Sequence, residues 1–177
     1  MILDIFKYFA RFVPTESLEK IFQLPVGDDY LALKEEVLAD VSDHRLEGLT
    51  DFVFGADVAL ISKRITDIRG TYLCVEFATV SSTVDPQVDV KTDLIRVGVT
   101  VATPHPDNYD LVSTAIDQDK TLALISAIRQ YMRDDDDPQR GIYWMDYPAT
   151  LSVWSSKELA NSHGWTMQFN IKGINVI

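Results

Sequence analysis

The sequence predicts an α+β fold: an antiparallel β-sheet of about four or more strands packed against one main helix, with a helical N-terminal region. Three observations predict it. Apolar residues alternate with a period of two near 71 to 80 and 90 to 102, and again near 142 to 154 and 164 to 172. One long amphipathic stretch near 108 to 132 separates these two pairs of segments. The first 50 residues carry their apolar positions at helical rather than strand spacing. At 177 residues, 46% hydrophobic and 24% charged, the chain suits one folded domain with a substantial core. Within that domain, residues 1 to 50 form a helical arm or subregion and 55 to 177 an α+β core.

The opening segment, Met1 to Val13, places Ile2, Ile5, Phe6, Phe9, Phe12 and Val13 at helical spacing, interrupted by Lys7 and Arg11. Spanning a bilayer takes roughly 20 apolar residues, and Asp4, Lys7 and Arg11 spoil a secretory signal, so an intracellular origin is expected. This helix either packs on the domain's own core or forms an arm that docks on a partner. Pro14 ends it, and Thr15 is placed to cap a short helix carrying Leu18, Ile21 and Phe22. After Pro25 and Gly27, Asp28 or Asp29 caps a third helix running to about His44 through Leu31, Val37, Leu38 and Val41. Between Leu49 and Arg69 the apolar residues fit a strand, a buried helix, or one after the other.

From Thr71, Leu73, Val75 and Phe77 alternate with Tyr72, Cys74, Glu76 and Ala78. Ile95, Val97, Val99 and Val101 repeat the pattern opposite Leu94, Arg96, Gly98 and Thr100, and the two strands are expected to pair. The intervening Ser81 to Gln87 has turn chemistry and reads as a long protruding loop. Cys74, the one cysteine, has no partner for an internal disulfide and reads as a small buried side chain. Thr103-Pro104-His105-Pro106 stops the second strand.

Asp107 or Asp110 then caps the main helix, whose inward stripe is Leu111, Ala115, Leu122, Ile125, Ile128 and Met132, with a possible break at Asp117 to Lys120. The run Asp134 to Asp137 opposes the helix dipole and is expected beyond the helix in solvent. Its consecutive aspartates lack the alternating spacing of a calcium loop. Trp165, Met167, Phe169 and Ile171 alternate with polar residues to define a last strand, with Ala149 to Trp154 as its partner. The three tryptophans, Trp144, Trp154 and Trp165, read as sheet-packing residues, and Gly141, Pro148, Gly164 and Gly173 as turns or bulges.

The net charge of −11 disfavours static attraction to nucleic acid or anionic lipid. The eight glycines form no phosphate-cradling loop, and His44, His105 and His163 match neither a zinc pattern nor an H-E-x-x-H helix. No catalytic residue, cofactor or metal is expected. The least implausible catalytic cluster is His105 with Asp107, Tyr109 or Asp110, against which stands a reading of His105 as an exposed turn residue beside a helix cap.

The order of elements resembles the tail terminator and tail completion proteins of tailed bacteriophages. The segments that carry the resemblance are Thr71 to Phe77, Asp93 to Val101, Leu122 to Arg129 and Trp165 to Ile171, and it spans about residues 55 to 177. It implies a virion protein of the neck or tail, assembled in the host cytoplasm. Such a protein forms a sixfold or twelvefold homo-oligomeric ring against portal, adaptor or tail-tube proteins, with DNA passing transiently through an acidic lumen and no membrane partner. The expected interface residues are Phe6, Phe9 and Phe12 of the N-terminal arm and Ser81, Ser82, Thr83, Val84, Asp85, Pro86, Gln87, Val88, Asp89, Val90 and Lys91 of the hairpin. A cytoplasmic adaptor or chaperone-like module that binds one protein is the principal alternative.

Overall fold

A computed structural model describes residues 2–22, 27–40, 44–56, 58–85, 90–105, 110–135, 143–144, 150–157 and 159–173. The element order is α1 (Ile2–Ala10), α2 (Thr15–Glu19), α3 (Asp28–Ala39), β1 (Asp51–Gly55), α4 (Val58–Thr66), β2 (Tyr72–Asp85), β3 (Val90–Thr103), α5 (Leu111–Asp134), β4 (Tyr143–Trp144), β5 (Ser152–Ser156) and β6 (Ser162–Gly173). The fold is α+β, a sheet served by the main helix α5 and by the N-terminal helices, as the sequence predicts.

The six strands form one sheet in the order β1-β2-β3-β6-β4, and β5 also pairs with β6. β4 meets β6 at Tyr143↔Lys172, whereas β5 meets its other end, from Ser152↔Thr166 to Ser156↔Ser162. The sheet departs from the antiparallel expectation at one seam, since β1 runs parallel to β2 from Asp51↔Tyr72 to Gly55↔Glu76. A parallel pair needs a crossover, and α4 supplies it. The ambiguous stretch from Leu49 to Arg69 is thus a strand followed by a helix, the third of the options its pattern left open.

Alternation along the strands splits the interior in two. Leu73, Val75, Val97, Val99, Val101, Met167 and Phe169 face α1 and α5 in the main core, while Tyr72, Cys74 and Ala102 face α4, where Ile61, Ile65 and Ile68 cover them. Cys74 is therefore the small buried side chain its strand position suggests, and burial pushes its thiol up to about 12. The N-terminal helices share the main core with the sheet, each fully buried Phe, Leu or Ile contributing roughly 1.5–3 kcal/mol.

Several local expectations need correction. The segment from Ser81 to Asp85 is paired strand, continuing the β2–β3 ladder to Asp85↔Val90 after a register shift between Phe77 and Val80. Serine and threonine tolerate extended backbone, and a long antiparallel partner outweighed their turn chemistry. Of the expected loop, Pro86 and Gln87 lie outside the described residues, as do the next two expected interface residues, Val88 and Asp89. α3 ends at Ala39, because Asp40 adopts an extended backbone (ψ 101°). Neither expected side-chain cap forms on α2 or α3: Pro14 and Gly27 hold those positions.

α5 runs through Asp117 to Lys120 without a break, and Asp110 is its N-cap, its carboxylate accepting from the Val112 and Ser113 amides at 2.8 Å. Those two amides hold the Asp110 carboxyl below its usual range. Its inward positions are Thr121, Ile125, Ile128 and Met132; Leu111 and Ala115 point outward instead. The acidic run is not wholly in solvent. Asp135 caps the C-terminus of α5, and its carboxylate takes hydrogen bonds from the Arg11 guanidinium and, at 3.3 Å, from the Tyr8 hydroxyl. Arg11 also stacks 4.1 Å over the Tyr8 ring, so this ion pair locks α1 to the far end of α5.

Candidate interaction surfaces and a buried histidine pair

The residues expected at an interface divide sharply. Phe6, Phe9 and Phe12 are 6%, 0% and 0% exposed. Phe6 stacks on Phe52 and Phe54, Phe9 on Phe169, and Phe12 on Tyr131. α1 is therefore a core element, and these rings are not available to a partner. The expectation of an aromatic docking arm is overturned because the amphipathic stripe found its complement on the chain's own sheet.

The hairpin residues lie differently. β1 accompanies β2 only as far as Glu76, and among the described residues no strand pairs the outer side of β2 from Phe77 to Asp85. That edge leaves amide and carbonyl groups free to pair. From Phe77 to Val84 it carries no charged residue and no proline, the devices that protect natural edges; its one irregularity is the register shift at Phe77/Val80. Val80, the partner of Ile95, sits on the α1 side of the sheet and is 46% exposed. Ile2 and Leu3, in the first turn of α1, are 43% and 54% exposed, and Phe6 of the next turn packs on Phe52 and Phe54 of β1.

The opposite margin of the sheet is also open. β5 pairs with β6 on one side and, among the described residues, with no strand on the other. Its residues Ser152 to Ser156 are uncharged. Val153 stands opposite Trp165, so it shares the α5 face, and it is 59% exposed. The Trp165 indole N–H donates to the Gln118 carbonyl at 2.9 Å and so fixes the first half of α5 beside this margin. There Val112 and Ile116 are 69% and 51% exposed, and Leu111 is 89% exposed.

Beneath that half of α5 lie two of the three histidines. His105, just past β3, is buried, and its ring meets His163 of β6 edge to face, with centroids 4.9 Å apart. Its Nε2 is 3.8 Å from the Asp117 carboxylate, which Lys120 also approaches at 3.3 Å. Burial lowers the His105 pKa, the neighbouring His163 lowers it further, and Asp117 acts in the opposite direction. His105 is not the exposed turn residue of one sequence reading. Among the described residues its acidic neighbour is Asp117, while Asp110 caps α5; Asp107 and Tyr109, the other members of the expected cluster, lie outside the described residues. No local pattern links positions 105, 117 and 163, so only the folded sheet brings them together. His44 lies elsewhere, its ring against Tyr131 at 4.6 Å.

A small cavity of about 160 Å³ between α1 and α3 is lined by Lys7, Arg11, Glu36 and Asp40 with Ala10 and Val37. Lys7 and Glu36 bridge there at 2.7 Å. Among the described residues no group of three or more His, Cys, Asp or Glu is arranged to hold a metal ion, and no helix is long and apolar enough to cross a membrane. The chain matches no family model, no curated protein and no solved structure.

Proposed function

We propose that this chain is a non-catalytic structural subunit that assembles with copies of itself into a ring at the head-to-tail connector or tail end of a tailed phage, with DNA passing through the ring. The observation that carries the reading is the β2–β3 hairpin: it outruns β1 and leaves an uncharged strand edge from Phe77 to Val84 that no strand pairs among the described residues. An edge of that kind is a template for strand addition, and natural monomers avoid exposing one. The α+β order of elements supports the phage reading through its resemblance to tail terminator and tail completion proteins. The charge of −11 is consistent with a lumen that repels the phosphate backbone and lets DNA slide.

Light scattering across a concentration range, with negative-stain imaging of the large species, tests the proposal. Closed rings of six or twelve copies are the expected result, and a strict monomer at every concentration overturns it. The same open edge also fits an adaptor that accepts a strand from one foreign protein. A monomer or dimer that binds such a protein through β2 would select that reading instead.

A further inference from the structure

Exposed apolar side chains form two unlike sets at opposite margins of one sheet, along β2 beyond Glu76 and along β5, neither of which has a strand on its outer side among the described residues. Val80 stands on β2; Val153 stands on β5, with Val112 and Ile116 on the half of α5 that Trp165 fixes beside it. Each set adjoins an uncharged stretch of strand, Phe77 to Val84 of β2 or Ser152 to Ser156 of β5, in a chain whose overall charge is −11. Two copies of so acidic a protein repel wherever their charged faces meet, so self-association is favoured where both partners are uncharged. The two sets also differ in what they offer. The β2 margin presents a long edge carrying Val80, whereas the β5 margin presents a short edge beside the first half of α5. Each margin offers strand backbone and apolar surface together, which is what a strand-addition contact consumes.

Resting on the ring reading, we infer that the partner of the β2 edge is the β5–α5 margin of a second copy. The contact is heterologous, head to tail: every copy uses its β2 edge toward one neighbour and its β5 edge toward the other. A contact between unlike surfaces closes into a ring when the rotation between copies permits, whereas β2 meeting β2 would stop at a twofold dimer. Sheet pairing then continues from copy to copy, and the exposed side chains of both margins are covered.

Two single variants and their mixture test this. Val80→Glu places a charge on the β2 edge, and Val153→Glu places one on the β5 edge. Both positions are exposed, so the folded monomer persists, which circular dichroism and the urea midpoint check. Each variant alone is expected to raise the concentration for assembly at least tenfold, because every head-to-tail contact in such a sample includes one altered margin. Mixed in equal amounts, they are expected to give a dimer and nothing larger. The intact β2 edge of a Val153→Glu copy meets the intact β5 margin of a Val80→Glu copy, and both remaining margins are blocked. Ile116→Glu, on the solvent side of α5, is expected to behave as Val153→Glu does and covers the case in which a strand variant unfolds. If Val153→Glu and Ile116→Glu assemble like the parent while Val80→Glu does not, the β2 edge pairs with something other than β5. The inference then fails although self-assembly stands. A parent chain that stays monomeric overturns the ring reading itself.

Discussion

Gly164 of β6 lies so close to Val101 of β3 that a Cβ at position 164 would collide with the Val101 carbonyl oxygen and stand 2.7 Å from the Ala102 Cα. The glycine is needed for close approach in mid-sheet rather than for the turn or bulge its sequence position suggests. Its neighbours on either side, Ala102 and Trp154, pair with it in register. Both obstructing atoms are backbone, so they cannot move aside as a side chain does. Gly164→Ala is expected to destabilise the fold by about 3 kcal/mol, the upper end of ordinary overpacking. That corresponds to a fall in melting temperature of roughly 6 to 12 °C for a domain of this size. Thermal unfolding checks it; an unchanged melting point would mean that β3 and β6 separate at little cost.

Phe9 tests whether α1 belongs to the core. It is fully buried between Tyr8, Phe12 and Phe169. Phe9→Ala is expected to cost about 3 to 5 kcal/mol, the usual range for a fully buried ring. Urea denaturation measures this, and a loss below 1 kcal/mol would favour a detachable arm.

The ion pair between Arg11 and Asp135 ties the two ends of the fold's helical layer. Both side chains are mostly covered, so Asp135→Asn leaves a guanidinium with a weaker acceptor in a poorly solvated place. The expected loss is about 1 to 3 kcal/mol, largely repeated by Arg11→Met and not doubled in the double variant. Additive losses in that double-mutant cycle would show that the pair does not act as a unit. Burial holds the Tyr8 hydroxyl beside it up to about 12, with Arg11 pulling the other way, so it stays protonated and able to donate to Asp135 at neutral pH.

The histidine pair makes stability depend on pH. His105 has a lower pKa folded than unfolded, so the fold favours its neutral form. Its contribution is therefore intact above the ordinary histidine value of 6.5. It is lost as the pH falls through the histidine range, where protonation places a charge beside His163. Urea midpoints of the parent are expected to fall between pH 7.5 and 5.5, and to fall less in His105→Asn. Equal falls in both proteins would exclude His105 as the source.

The strands at 71 to 80, 90 to 102 and 164 to 172 and the helix through Ile125 and Met132 were legible because each repeats its apolar residues at its own period. The stripe on α5 misled only at its start. Leu111 and Ala115 have helical spacing, but that half of the helix presents them outward rather than to the sheet. The hairpin tip misled in the other direction. Ser81 to Asp85 have the composition of a loop, and the opposing strand holds them extended through ladder bonds that no local window contains. The candidate site was legible in part: the hairpin at 81 to 91 was marked for an interface, whereas the β5 margin and the histidine pair carry no pattern of their own.

By itself the sequence determined the class of fold, the position of most elements and the acidic character, since periodicity, capping and charge act within a few residues of where they are written. Tertiary structure alone decided that β1 runs parallel to β2, that the N-terminal aromatics belong to the core, and that His105 lies beside His163 and Asp117. It also decided that, among the described residues, β2 beyond Glu76 and β5 have no strand on their outer sides. Each depends on contacts between residues far apart in the chain, where burial of a shared face and completion of backbone hydrogen bonds outweigh local preference.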